Sequence, residues 1–203
     1  MKTIDAYLEQ LASETPTPGG GSAATIVAAS GAALVAMVAR ISLNSPKYAA
    51  HRELAESIVR RADALREELL AARVVDESAF ERVVTAQGLP RTSDAEKHIR
   101  SQQLEAALHD AAEAPLRAAQ LAFDVERLAT LLLEIPNRNL ISDVGCAAEF
   151  AAAAVSACAY NVRINHRFMK DTSAIARQTE RIERYERETT GLLHGMRSAI
   201  ARM

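Results

Sequence analysis

Residues 144–160 read VGCAAEFAAAAVSACAY and predict a helix that is buried on most of its sides. Alanine is the strongest helix former, and its small side chain lets neighbouring helices approach closely. The run Ala151–Ala154, followed by Val155, has no polar face to turn towards water. Other helices must therefore surround this segment in the folded protein.

The rest of the chain also reads as helices separated by short breaks. Proline, glycine and asparagine interrupt the helical spacing of apolar residues at 15–21, 44–46, 88–90 and 135–139. We predict one all-α, bundle-like domain of six or seven helices covering residues 1–203. The predicted helices are 3–14, 22–41, 46–87, 92–133, 144–167 and 174–202.

The predicted helix ends depend on a few residues. Glu96 follows Ser93 by three residues, the spacing of a capping box. Pro46 can occupy the first turn of its helix, and Pro115 predicts a kink within its own. The predicted N-caps are Ser22, either Thr92 or Ser93, and either Ser142 or Asp143.

Composition excludes several classes of protein. The 203 residues carry 24 basic and 26 acidic side chains, and this balance argues against nonspecific nucleic-acid binding. The uncharged stretch 19–39 is long enough to cross a membrane, but its many small residues favour a buried core helix. The first ten residues lack the apolar region of a signal peptide. Cys146 and Cys158 lie about 18 Å apart along one helix, too far to pair, so we expect buried free thiols and a cytoplasmic protein.

Three polar clusters lie at helix ends, where ligands are commonly bound. Gly19-Gly20-Gly21-Ser22 lets backbone N–H groups approach a ligand, unless it is simply a tight turn with a cap. The second cluster contains Asn137, Asn139, Ser142 and Asp143. The sequence favours neither a helix cap nor a binding site for it. Asn161 and Asn165 lie one turn apart and can hydrogen-bond a planar heterocycle, or they are exposed amides near a helix end.

Two charged residues and the histidines complete the candidates. Asp76 lies between apolar residues, so its carboxylate either faces inward with a raised pKa, suited to acid–base chemistry, or faces solvent. Lys47 can meet an anionic group or is ordinary surface charge. The five histidines show no metal-ligand spacing, and we expect no metal.

The run PTPGGGSAA at residues 16–24 closely resembles the opening motif of the cyclodeaminase/cyclohydrolase family. This family includes the C-terminal domain of formiminotransferase-cyclodeaminase and the stand-alone methenyltetrahydrofolate cyclohydrolases. The likeness spans residues 3–170. Further family-like segments are Asp76 with Phe80, Leu89-Pro90, Arg100, Ala114-Pro115-Leu116, Asn139-x-x-Ser142-Asp143 and Asn161-Val162-x-x-Asn165.

The resemblance implies an all-helical homodimer that acts on a tetrahydrofolate derivative. A cyclohydrolase opens 5,10-methenyltetrahydrofolate to 10-formyltetrahydrofolate, whereas a cyclodeaminase closes 5-formiminotetrahydrofolate and expels ammonia. The lack of a formiminotransferase domain in this sequence favours the cyclohydrolase. A non-catalytic helical folate-binding or interaction protein is the alternative of another class, and the intact set of polar residues disfavours it.

The mechanism expected from this resemblance needs a carboxylate beside the cationic N–CH–N unit of the substrate. Asp143 is the first choice for it and Asp76 the second. The predicted substrate-binding residues are Gly19, Gly20, Gly21 and Ser22 for a carbonyl or carboxylate of the folate, Asn139, Asn161 and Asn165 for the pterin edge, and Lys47 for the glutamate tail.

Overall fold

Apolar residues at helical spacing build six α-helices in the computed structural model, which describes residues 3–202. No β-strand occurs in this range, so the predicted all-α class is confirmed. Short 3-10 turns at Pro46–His51, Leu132–Glu134 and Arg138–Leu140 link the longer elements. The helices are α1 Ile4–Leu11, α2 Gly20–Leu43, α3 Arg52–Gln87, α4 Asp94–Leu131, α5 Ile141–His166 and α6 Thr172–Ala201.

The predicted capping box is present, but the predicted N-caps of α2 and α5 are wrong. Ser93 Oγ accepts from the Glu96 N–H at 3.2 Å, while the Glu96 carboxylate accepts from the Ser93 N–H at 2.8 Å. Helix α2 begins at Gly20, so Ser22 lies inside its first turn and is not its cap. Neither Ser142 nor Asp143 caps α5, because a 3-10 turn leads directly into the helix at Ile141.

Proline affects the helices differently at two positions. Pro46 opens a 3-10 turn in which Tyr48 leaves helical geometry (φ −111°, ψ 20°), so α3 starts only at Arg52. Pro115 lies in the interior of α4, which continues as one helix from Asp94 to Leu131.

Helices α2 and α5 pack against each other in antiparallel directions at the centre of the bundle. Gly20 lies beside Asn161, and at the other end Asn137 Nδ2, just before α5, donates to Ser42 Oγ at 3.1 Å. Between them, a Cβ on Gly31 would lie 3.1 Å from the carbonyl oxygen of Ala147. Even a methyl group at position 31 would therefore require the facing backbone to shift by a few tenths of an ångström, and small residues set the thickness of the core.

The remaining helices surround this pair. Helix α2 packs on α3 and α5, α4 lies against α3 and α5, and α6 covers α4 and α5. The predicted burial of the alanine-rich segment holds for one side only: Ala147, Ala148 and Ala151 are fully inaccessible, but Phe150 and Tyr160 on its other side are exposed. By length and composition, α2 and the stretch Arg138–His166 are apolar enough to cross a membrane. In this fold 50% of the first window and 39% of the second are buried, and both segments contribute residues to the common core.

The two cysteines differ in exposure. Both are free thiols; Cys158 is buried in the core, but Cys146 is exposed, so the expectation that both are buried is wrong for Cys146. Cys146 lies on the outward side of α5, within its second turn. Burial raises the pKa of the Cys158 thiol to about 12, with a further contribution from the charge of Asp76.

Glu126 on α4 is a fully buried acid. No protein group in residues 3–202 lies in hydrogen-bonding geometry with either of its carboxylate oxygens. Burial raises the pKa of Glu126 to about 8, the nearby Thr189 hydroxyl opposes this shift, and the charge of Glu149 adds to it. The folded chain therefore keeps a proton on Glu126 at neutral pH.

This proton makes the stability of the fold depend on pH. Between pH 4.5, the ordinary value, and about 8, the folded chain binds the proton more tightly than the unfolded chain, so the free energy of unfolding falls as pH rises. We expect Glu126→Gln to become more stable than the wild type by a margin that grows from pH 5 to 9, as measured by urea unfolding.

The exposed Glu134→Gln serves as the matched control, and its difference from the wild type should stay constant over this range. Parallel stability curves for Glu126→Gln and the wild type would show that Glu126 is not protonated in the folded state.

Candidate functional site

A pocket of about 240 Å³ opens where the turn before α2 meets α3, α4 and α5. It contains three of the elements that the sequence singled out: the glycine run, Asp76 and the two asparagines of α5. The lining residues are Pro16, Thr17, Gly19, Gly20, Gly21, Asp76, Glu77, Phe80, Ala111, Asn161 and Asn165.

Asp76 stands at the amino end of α2. The helix start has no capping side chain, because its N-cap is Gly19. The Asp76 carboxylate instead reaches across from α3 to this helix start, where the backbone N–H of Ser22 acts to lower its pKa. Asp76 thus takes the place of a capping residue, and the positive end of the helix dipole faces its charge.

Gly21 makes this approach possible. A Cβ at position 21 would lie 2.5 and 2.6 Å from the two carboxylate oxygens of Asp76, closer than any real contact. At Gly20 the same atom would lie 3.6 Å from Asn161 Nδ2, an ordinary van der Waals distance. Of these two glycines, only Gly21 is therefore required by the position of Asp76.

The environment of Asp76 tunes its proton affinity. Burial raises the pKa of Asp76 to about 6, and the negative charge of Glu77 adds to the increase, while the Ser22 N–H opposes it. Of the two orientations that the sequence left open for Asp76, the structure has the half-buried one that faces the pocket. A pKa just below neutral leaves Asp76 mostly ionised at pH 7 and still able to accept a proton.

A closed ring of contacts lies behind Asp76. The Ser22 hydroxyl donates to Glu77 Oε1 at 2.8 Å, so Tyr7 must be the donor in its 2.9 Å bond with Ser22 Oγ. Glu77 Oε1 also accepts from Arg73 at 2.8 Å, and the Arg73 guanidinium lies 5.8 Å from the centre of the Tyr7 ring. This ring joins α1, α2 and α3 around a buried serine.

The two amides of α5 are held by backbone carbonyls. Asn161 Nδ2 donates to the Ala157 carbonyl at 2.9 Å. Asn165 Nδ2 donates to the carbonyls of Asn161 and Ala111, at 2.8 and 2.9 Å. Both side chains are half-buried, and their one-turn spacing places them on the same wall of the pocket. The alternative of freely exposed amides does not hold.

The other predicted site residues lie at the opposite end of the bundle. Eighteen helical residues separate Asp143 from Asn161 on α5, a distance of about 27 Å. Asn139 lies in the 3-10 turn just before α5, and Lys47 follows the far end of α2. Within one chain these three residues therefore share no pocket with Asp76, and Asp143 does not reach the pocket of its own chain.

Sequence reasoning missed part of the site. Ser22 was expected to face a ligand, but it is fully buried, and its hydroxyl is engaged by Tyr7 and Glu77. Neither Tyr7 nor Glu77 belongs to a recognisable motif, because their roles arise only from contacts between helices. Ala111 had an available signal: a proline inside a helix leaves the carbonyl four residues earlier without its helical partner.

Fold and pocket together define a helical-bundle protein whose glycine-rich helix start receives a half-buried carboxylate. The chain belongs to the formiminotransferase-cyclodeaminase family, which matches residues 3–184. The resemblance seen in the sequence motifs is thereby confirmed.

Individual relatives carry two different names. The chain is 35% identical to the methenyltetrahydrofolate cyclohydrolase of Methylorubrum extorquens over 182 residues, covering 90% of this chain and 88% of that protein. It is 27% identical to the formimidoyltransferase-cyclodeaminase of Rattus norvegicus, covering 83% of this chain but only 31% of that longer protein. The crystal structure of formiminotetrahydrofolate cyclodeaminase from Thermotoga maritima superposes with a TM-score of 0.89 at 26% identity, covering 98% and 96% of the two chains.

Neighbouring glycines provide a matched test of the site geometry. We expect Gly21→Ala to lower the free energy of unfolding by about 1–3 kcal/mol, because the new methyl group displaces the Asp76 carboxylate. Gly20→Ala should be neutral or slightly stabilising, because alanine is the better helix former. Urea unfolding of both variants measures the difference, and equal effects would contradict the close approach of Asp76.

Proposed function

We propose that this chain is an enzyme that hydrolyses 5,10-methenyltetrahydrofolate to 10-formyltetrahydrofolate. The observation that carries the proposal is the Asp76 carboxylate, half-buried in a pocket between a glycine-rich helix start and two fixed amides. The M. extorquens relative, matched over nearly the full length of both chains, bears the name of this activity. We further propose a cytoplasmic location, which the two free thiols favour.

Asp76 supplies both attraction and proton transfer in this proposal. The N–CH–N unit of the substrate is cationic, so the ionised carboxylate favours its binding. A water molecule adds its oxygen to the bridging carbon, and Asp76 takes one proton from that water. The tetrahedral carbon then loses its bond to one nitrogen, which receives the proton back from Asp76. The remaining hydroxyl proton leaves to solvent as the formyl C=O forms.

The other lining groups bind and orient the substrate. The N–H groups of Gly20 and Gly21 have no partner within the first turn of α2 and can hold a carbonyl oxygen. Phe80 lies one turn after Asp76 on α3, and its half-exposed ring offers a flat surface to a heterocycle. Asn161 and Asn165 are suited to the hydrogen-bonding edge of a pterin. Ser22 acts indirectly, since its N–H holds Asp76.

A cyclodeaminase is the second candidate, favoured by the close structural match to the T. maritima protein. Ring closure of 5-formiminotetrahydrofolate passes through the same tetrahedral carbon, so the same carboxylate serves both reactions. The products separate the two, because only the cyclodeaminase releases ammonia. Binding of folate without either product would support a non-catalytic relative.

Asp76→Asn provides the direct test of the catalytic carboxylate. We expect the variant to lose roughly 10²–10⁴-fold in kcat for methenyltetrahydrofolate hydrolysis, the range of general acid–base contributions. Wild-type activity should fall as pH drops through about 6, because the reaction needs the ionised form. Absorbance of the methenyl substrate follows the rate, and ammonia release from 5-formiminotetrahydrofolate is measured in parallel.

Asp143→Asn is the comparison for this variant. An activity loss at Asp143 alone, with Asp76→Asn near wild type, would move the catalytic role to Asp143. Ammonia release without hydrolysis would make the cyclodeaminase the correct assignment.

We also propose that the protein is a homodimer formed through the outward face of α2. Val27, Met37 and Ile41 are between 37% and 45% exposed on this face, and Arg40 is the one charged residue of the helix. Phe150 on α5 extends the apolar surface, because it lies beside Gly31 of α2 and is itself 38% exposed. A second copy of the chain covers such a face with an identical one.

Antiparallel pairing of two α2 helices explains why the polar residues divide into two groups. A two-fold axis near the middle of α2 brings the Gly20 end of one copy next to the Ile41 end of the other. The Lys47, Asn139 and Asp143 cluster of one copy then lies beside the Asp76 pocket of the second. In this dimer Asp143 of one copy lies near the substrate of the other copy, and Lys47 lies near the anionic tail of that substrate.

Met37→Lys tests the dimer, with Val84→Lys on the exposed face of α3 as the control. We expect Met37→Lys to run as a monomer in light scattering coupled to size-exclusion chromatography, because each copy would bury a charge. Mixing Asp76→Asn with Asp143→Asn chains should also restore some activity if each site draws on both copies. A dimer that survives Met37→Lys would exclude the α2 face.

A further inference from the structure

The proline in the middle of α4 accounts for the position of Asn165. Proline lacks a backbone N–H, so Pro115 cannot donate to the carbonyl of Ala111, four residues earlier. Its ring also crowds that carbonyl and turns it away from the helix axis. Asn165 on α5 supplies the missing donor, with Nδ2 2.9 Å from the Ala111 oxygen. The bond satisfies a carbonyl in the pocket wall that would otherwise be left without its helical partner.

Asn165 has no amide hydrogen left for a ligand. Its nitrogen carries two hydrogens, and these go to the carbonyls of Ala111 and Asn161. The oxygen of the amide is the polar atom that remains for the pocket, and an amide oxygen accepts hydrogen bonds but cannot donate them. Asn161 differs, because Nδ2 donates one hydrogen to the Ala157 carbonyl, which leaves its second amide hydrogen and its amide oxygen for a ligand.

We propose that Pro115 is a positioning residue: by freeing the Ala111 carbonyl it locks the Asn165 amide, whose oxygen then selects a ligand with an N–H donor at that position. The ligand's identity rests on the proposed function, since the amino group and ring N–H of a pterin are donors of this kind. The lock itself rests only on the contacts between α4 and α5. A rigid acceptor discriminates strongly, because a ligand without the donor leaves a buried oxygen unpaired.

The test compares Pro115→Ala, Asn165→Ala and the double variant, with Pro90→Ala in the turn after α3 as the matched proline control. We expect each single variant to raise KM for 5,10-methenyltetrahydrofolate by roughly five- to tenfold, the value of one hydrogen bond, with a smaller change in kcat. The double variant should be no worse than Asn165→Ala, because Pro115 acts only through Asn165. Pro90→Ala should keep the wild-type KM. Effects that multiply in the double variant would overturn the proposal.

Asn165→Asp protects the test against misfolding of Pro115→Ala. Its carboxylate is the same size but cannot donate to either carbonyl, and α4 stays unaltered. We expect the same rise in KM, and an unchanged KM would count against the lock.

Crystal structures of the wild type and Pro115→Ala separate this inference from the proposed function. With alanine at 115, the new N–H draws the Ala111 carbonyl back into the helix, and the distance to Asn165 Nδ2 should lengthen from 2.9 Å to beyond about 3.5 Å. An unchanged distance would overturn the lock whatever the enzyme turns over. A lengthened distance in a protein inert towards both folates would uphold the lock and reject the proposed function.

Discussion

The contact between the Asp76 carboxylate and the amino end of α2 is the constraint on which the site depends. A helix start needs acceptors for its first N–H groups, and the triple glycine provides no side chain to meet them. The acid from α3 meets this need, but only because Gly21 leaves space for both of its oxygens. The interaction that completes the helix therefore also places a partly desolvated acid at the mouth of a pocket.

On the other wall of the pocket, too, a residue of one helix satisfies a backbone group of its neighbour. Pro115 breaks the hydrogen-bond ladder of α4 at the point where Asn165 of α5 can repair it. Ser22 likewise joins two acids, with its N–H towards Asp76 and its hydroxyl towards Glu77. In each case a polar group of one helix forms a hydrogen bond with a side chain of a neighbouring helix. That hydrogen bond holds the second side chain, Asn165 or Glu77, in the pocket wall.

Helix length explains how one polar set is divided between two ends of the molecule. Helices α2 and α5 are rigid rods that run antiparallel through the core, so Asp143 and Asn161 cannot meet within one chain. An uncharged outward face on α2 is compatible with a second copy that runs in the opposite direction. Under that arrangement, dimerisation and completion of the site become the same event, and loss of the α2 contact would remove both.

Local pattern was enough to predict the helices, because the spacing of apolar residues and the positions of proline and glycine act within a few residues along the chain. The sequence by itself therefore determined the all-α class, most helix boundaries to within two residues, the capping box at Ser93 and the family motifs. It also pointed to Asp76, Asn161 and Asn165. Only the tertiary structure decided that Ser22 is buried, that Asp76 rather than Asp143 lies beside the glycines, and that Glu77 and Tyr7 support the site. Those outcomes depend on how helices that are distant in sequence pack together. The spacing of residues within one helix does not predict which residues of another helix will contact it.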